Sequence, residues 1–169
     1  PSKWYIAKNC EIVVEHARVR CDSAPGIGTS MVATIKVGEQ VSEPSSQAIS
    51  YAKPSVTEVS SAPGLGAGAV VASNGAVSGR RLAGQLLLRT EGEELVTITG
   101  DNFGSDPYYV EVTYGGRYIA RNCAMVQDHI QIKCTTSRGL GSGHKWTVTV
   151  GKGEIEKQSS PESAVTTSY

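Results

Sequence analysis

The chain lacks an excess of charge of either sign: 16 Lys and Arg offset 16 Asp and Glu across 169 residues, for a formal net charge of zero. A nucleic-acid clamp needs surplus Lys and Arg to neutralise phosphates, so that class is disfavoured at the outset. No apolar run approaches the roughly 18–20 residues of a membrane-spanning helix. The longest candidate, Ala67–Ala72, is short. Phe occurs once, and charged residues make up 19%, below the usual ~25%. None of Asn9, Asn74, Asn102 or Asn122 is followed two residues on by Ser or Thr, so an N-glycan acceptor is missing. Initiator methionine and signal peptide are lacking too, and a start at Pro1 reads as an excerpt from a longer protein.

What is present points to strands. Ser contributes 19 residues, Thr 13, Gly 19 and Val 18. Sequence rich in hydroxyls and valine, punctuated by glycine, suits pleated strands better than helices.

An internal similarity organises the chain. A shift of 113 residues lays Tyr5-Ile6-Ala7-Lys8-Asn9-Cys10 on Tyr118-Ile119-Ala120-Arg121-Asn122-Cys123. The same shift brings His16 onto His129, Cys21 onto Cys134, Gly26 onto Gly139 and Gly28 onto Gly141. The final tyrosines, Tyr51 and Tyr169, are 118 apart, so about five extra residues fall near Glu154–Ser163 in the second copy. The copies are unequal, because some sixty residues precede Tyr118 in its copy and four precede Tyr5. The expected organisation is therefore the C-terminal half of a first unit at 1–53 and a complete second unit at 54–169. A half-sandwich exposes apolar faces and unpaired edges. Its missing strands are expected from preceding residues or, on a sharper reading, from another chain.

Period-two alternation predicts strands at Leu95–Thr99, Tyr109–Thr113, Cys123–Val126, Ile130–Cys134 and Trp146–Val150. Short strands are also expected at Val56–Val59 and ending at Tyr169. Gly100–Gly104 carries turn chemistry. About seven short strands predict an antiparallel β-sandwich. The Gly- and Ala-rich stretch 63–85 fits poorly and reads as an insertion. It is either a surface loop or an arm docking on a neighbouring unit, with Val70 and Val71 as anchors beside Arg80 and Arg81.

The four cysteines form two equivalent pairs, each 11 apart. Four cysteines permit three connectivities, and the repeat prefers Cys10–Cys21 with Cys123–Cys134, since each unit must close on itself. Zinc is the competing reading, but His16 or His129 beside two thiols supplies only three ligands. Disulfides imply an oxidising compartment, extracellular or at the cell surface.

At these residues a family becomes recognisable. The complete unit resembles an IPT/TIG domain, the immunoglobulin-like fold of plexins, some transcription factors and many long extracellular repeat proteins. The resemblance is carried by Pro54-Ser55-Val56-Thr57-Glu58-Val59, by Gly92 to Gly104, by Asn122-Cys123 through Cys134, and by Gly139-Leu140-Gly141-Ser142-Gly143-His144 before strand Trp146–Val150. Tyr51-Ala52-Lys53-Pro54 looks like the joint between units. Two departures are the insertion at 63–85 and Arg138, where Pro25 stands in the first copy. The resemblance implies all-β, immunoglobulin-like sandwiches in tandem, the first truncated.

Candidates for chemistry are few. His16 and His129 occupy equivalent turn positions, and His144 follows a glycine-rich turn it is expected to anchor. A G-x-S-x-G elbow is missing. Asp101 and Asp106 lack the EF-hand rhythm, and Gly64-Leu65-Gly66-Ala67-Gly68 lacks the strand–turn–helix setting of a dinucleotide loop. No catalytic residue, metal or cofactor is expected, nor a membrane span in this segment.

The leading functional expectation is a non-enzymatic structural segment of an extracellular repeat protein forming a fibre, surface appendage or adhesive coat. Its partners would be neighbouring repeats, further copies or other surface proteins. Ser42–Ser50 and Ser159–Thr167 are possible O-glycan sites. The alternative is a ligand-binding ectodomain of a plexin-like receptor, with Tyr108, Tyr109, Tyr114 and Tyr118 as an interface patch; the same tyrosines equally fit cross-strand pairs on a half-buried sheet. DNA binding would rest on the sparse group Arg80, Arg81 and Arg89. An accessory domain of a polysaccharide-acting enzyme is the fourth class.

Overall fold

The structure, a computed structural model, describes residues 5–61, 70–71, 77–78, 81–82, 85–153 and 155–169, with backbone only at 70–71, 77–78, 81–82 and 85. The first unit holds β1 (Lys8–Val14), β2 (Arg18–Asp22), β3 (Lys36–Val37) and β4 (Gln40–Val41), paired as the antiparallel hairpins β1–β2 and β3–β4. The second holds β5 (Ser55–Ser61), β6 (Val70–Val71), β7 (Val77–Ser78), β8 (Arg81–Leu82), β9 (Gln85–Leu87) and β10 (Leu95–Asp101). It continues through a 3-10 turn at Pro107–Tyr109 into β11 (Val110–Tyr114), β12 (Tyr118–Ile119), β13 (Arg121–Gln127), β14 (Gln131–Thr135), β15 (His144–Val150), β16 (Gln158–Ser159) and β17 (Thr166–Ser168). The expected strands are thus present; β5, β10, β13 and β15 run two or three residues longer than the alternation alone marks, and β11 and β14 are shifted one residue towards the C-terminus. Tyr109 lies in the 3-10 turn rather than in β11, Ile130 lies in the turn before β14, and Gly100 and Asp101, expected in a turn, extend β10.

The second unit is a sandwich of two sheets. One runs β13-β14-β10-β5, antiparallel throughout. The other runs β12-β11-β15-β17-β9-β8, with β16 also on β15. Alternation decides what faces inward. Val96 and Ile98 of β10 pair with Cys134 and Ile132 of β14, while Val112 and Tyr114 of β11 pair with Val148 and Trp146 of β15. All eight are fully buried, and Val59, Leu86 and Phe103 close the core. Each such side chain contributes about 1.5–3 kcal/mol by leaving water. Between β12 and β13 the chain passes from one sheet to the other at buried Ala120.

Gly100 is the one position in β10 where a side chain is excluded by a close approach. A Cβ there would lie 1.8 Å from the Ser55 carbonyl oxygen, at the register shift where β10 meets β5.

The insertion is not uniformly loop. Within 63–85, β6 pairs with β7, and β8 pairs with β9, which begins at the end of that stretch and runs parallel to β17 just beyond it (Leu86 with Thr167, Leu87 with Ser168).

The first unit repeats part of the second in strand register and in several hydrogen bonds. β1 and β2 occupy the positions of β13 and β14 at the 113-residue offset, in the same register: Lys8 opposite Asp22 and Glu11 opposite Arg20, as Arg121 opposite Thr135 and Ala124 opposite Lys133. Ser45 Oγ accepts from Ala33 N at 3.0 Å as Ser163 Oγ accepts from Trp146 N at 2.9 Å. Ser42 Oγ accepts from Ile35 N at 3.0 Å as Ser160 Oγ accepts from Val148 N at 3.0 Å. Burial differs sharply. Val19, Ile35, Val37 and Ile49 are 46–71% exposed, whereas their counterparts Ile132, Val148, Val150 and Thr167 are 0% exposed. The strand register is repeated, whereas the burial of the equivalent side chains is not.

Candidate functional site at the junction of the two units

The disulfides staple neighbouring strands. Cys10–Cys21 joins β1 to β2 and Cys123–Cys134 joins β13 to β14, each with Cα atoms 4.1 Å apart. Cys134 is sealed in the core, while Cys10 and Cys21 are exposed. These bonds exclude the zinc alternative, and they are the bonds of an oxidising compartment rather than the cytosol.

The place where the two units touch is built from glycines, tyrosines and one isoleucine. Tyr5 brackets Ile27: its hydroxyl donates to Ile27 O and accepts from Ile27 N, both at 3.1 Å. The Tyr51 ring meets Tyr5 edge-on at 5.4 Å, and its hydroxyl donates to Ala24 O. Gly26 is required between them, since a Cβ there would lie 2.6 Å from both rings. Burial, and then the neighbouring Tyr5, push the Tyr51 hydroxyl above the usual phenol range.

This assembly holds Ile27 against the second unit. Ile27 is 6% exposed, in a unit whose other large aliphatic side chains are largely open to water. It faces Gly104, where a Cβ would come within 2.9 Å of Ile27 Cγ2, and neighbouring Gly28 faces Ile155 Cγ2 at 2.8 Å by the same measure. Tyr5, Ile27, Gly104, Asp106 and His129 line the crevice between the units. Two hydrogen bonds fix the linker across it. Gln158 Nε2 donates to Tyr51 O at 3.0 Å and Asn102 Nδ2 donates to Lys53 O at 3.1 Å. Asn102, in the left-handed region at φ 61°, sits in a loop closed by Phe103 N to His129 O and His129 N to Gly104 O. Pro54 is buried at the end of the linker.

The tyrosines proposed from sequence as an interface do not share one surface. Tyr114 is buried, stacked on Trp146 at 4.2 Å and on Tyr118 at 5.2 Å. Its hydroxyl accepts from Ser137 N at 2.9 Å and lies 2.6 Å from the Tyr169 hydroxyl, which donates to Ser137 O at 2.7 Å. Burial raises the Tyr114 hydroxyl above the phenol range, and burial with the Tyr114 hydrogen bond raises Tyr169 further. Tyr118 is half-buried, with the Arg117 guanidinium 5.1 Å from its ring centre. Tyr109 is half-buried against the core. Tyr108 is 62% exposed, packed edge-on to Tyr109 beneath the Lys152 ammonium. Val70, Val71 and Arg81 lie in β6 and β8, described at backbone level, and Arg80 is outside the described residues. His144 anchors its loop as expected, with Nε2 3.1 Å from Leu140 O.

Sequence reasoning missed Ile27, Gly104, Asn102, Ile155 and Gln158. The signal available was the glycine pair flanking Ile27, which recurs around Leu140.

The second unit is therefore an immunoglobulin-like β-sandwich. Residues 88–169 match the family model of the IPT/TIG domain, a non-enzymatic immunoglobulin-like module. That match covers β10 to β17 and leaves outside it the opening strand β5, the linker and the first unit. No curated protein and no solved structure matches the chain.

Proposed function

We propose that the chain is a non-enzymatic structural segment of an extracellular repeat protein, in which disulfide-bonded sandwiches are stacked end to end to build a fibre, appendage or adhesive coat. Residues 1–53 are the C-terminal half of one unit and 54–169 the next. The observation that carries this reading is the junction, where a buried Ile27 and two side chain-to-linker hydrogen bonds join the units. A joint of this kind transmits orientation, which a flexible tether does not. The exposed Val19, Ile35, Val37 and Ile49 support the same reading, since a layer equivalent to 54–117 would bury them.

The test is to place a second copy of residues 54–117 directly before Tyr5, reproducing the Arg117–Tyr118 joint. Amides of β2 and β3 are expected to gain hydrogen-exchange protection, and small-angle scattering to show a rod two units long. Unchanged exchange in β2 and β3, or two units tumbling independently, defeats the reading. A second reading, a ligand-binding ectodomain, is favoured by the exposure of Tyr108. Capture of one soluble partner, lost in Tyr108→Ala, would select it.

A further inference from the structure

Resting on that reading, we infer that the end of the second unit carrying Leu140 is a docking face for a further complete unit of the same kind, one that covers Leu140 as the loop at Gly104 covers Ile27. The two ends are the same construction. Tyr118 Oη donates to Leu140 O at 3.0 Å and accepts from Leu140 N at 3.1 Å, as Tyr5 does with Ile27. Tyr169 N donates to Gly141 O at 2.9 Å, as Tyr51 N donates to Gly28 O at 2.9 Å. The ring pairs Tyr118–Tyr169 and Tyr5–Tyr51 meet at 64° and 67°, with centroids 5.5 and 5.4 Å apart. Gly141 and Gly28 share the left-handed region at φ 100° and 110°.

One property separates them: Leu140 is 69% exposed and Ile27 is 6% exposed. The difference is local to this position. Ile6 and its counterpart Ile119 are both exposed, at 75% and 54%, so apolar residues near this end are not covered in general. What covers Ile27 is a particular surface, the Gly104 loop with Ile155 beside it. A tyrosine clamp that fixes an aliphatic side chain outward is already built at Leu140, so the surface that fits it is another copy of that loop. The half-unit 5–53 does not offer one, because the counterpart of Gly104 would lie in its missing layer. The occupant is accordingly a complete unit, joined as 54–169 is joined to Tyr51.

The experiment adds residues 52–169 again after Tyr169, reproducing the Tyr51-Ala52-Lys53-Pro54 joint. Maleimide labelling is followed at a cysteine introduced as Leu140→Cys, with Val126→Cys as an exposed control (Val126 is 56% exposed) and Ile27→Cys reporting the existing junction. Labelling at 140 is expected to slow at least tenfold on extension while position 126 is unchanged. An unchanged rate at 140, or an equal fall at 126, overturns the inference. Fast labelling at 27 in the 169-residue chain would instead sink the junction reading on which it rests. In the extended chain carrying the native cysteines only, Leu140→Asp is expected to broaden the distance distribution from scattering while the 169-residue chain with the same substitution keeps its melting temperature. A distribution unchanged by Leu140→Asp also overturns it.

Discussion

The Tyr114 ring lies flat on the indole of Trp146, centroids 4.2 Å apart and planes 13° from parallel, on directly opposed positions of β11 and β15. Both are fully buried, and the indole Nε1 donates to Thr167 Oγ1 at 3.1 Å. Trp146→Ala is expected to destabilise by about 3–5 kcal/mol through the cavity it leaves. Trp146→Phe keeps a stacked ring and loses the hydrogen bond, for a smaller loss of about 1–2 kcal/mol. Urea unfolding midpoints with an unchanged slope check both.

Alkaline pH should loosen the same region. The Tyr114 and Tyr169 hydroxyls are raised in the folded state, so the unfolded chain releases those protons first. Stability is then fully present below pH ~10, the unfolded tyrosine value, and falls as pH rises above it. Tyr169→Phe is expected to flatten that decline. The check is unfolding free energy at successive pH values between 8 and about 11.5, in the region where phenols titrate; equal slopes in wild type and variant would refute it.

The disulfides should open in order. Cys134 is sealed in the core, whereas both sulfurs of the first unit belong to exposed residues. Access governs thiol attack. Mild reductant is expected to open Cys10–Cys21 first, seen by alkylation and mass spectrometry. Removing Cys123–Cys134 by paired Ala substitutions is expected to cost about 2–3 kcal/mol.

Gly100→Ala should be among the most damaging small substitutions. Its Cβ would collide with backbone, the Ser55 carbonyl, which cannot rotate away as a side chain does. A loss of about 3 kcal/mol is expected from overpacking. Gly116→Ala, with open space around it at φ 71°, is the control. It should lose only the roughly 1 kcal/mol of a left-handed backbone. Thermal unfolding of the two variants distinguishes them.

Much of the sandwich was legible because alternation and burial coincide. Val96 and Ile98, or Trp146, Val148 and Val150, recur at period two and point inward together. The cysteine pairing followed from equal spacing. The parallel β9–β17 contact was not legible: Leu86 and Leu88 adjoin a glycine-rich stretch without periodicity, and parallel pairing leaves no local turn signal. Tyr114 stood out as a surface candidate by type, although its place two residues after Val112 already put it on the inner face. The junction was hidden for a different reason. Nothing in Gly26-Ile27-Gly28 says which loop lies opposite, and only long-range packing brings Gly104 and Ile155 there.

The Cys123–Cys134 bond also limits how far the second unit can lengthen under tension. If chain is drawn out between Pro54 and Tyr169, the hairpin of β13 and β14 stays closed at its base. Eleven residues of separation then never enter the stretched contour. At about 3.3–3.6 Å per extended residue, some 36–40 Å of slack is withheld. A pulled unit would therefore yield a shorter step than its length implies, and reductant would restore the difference.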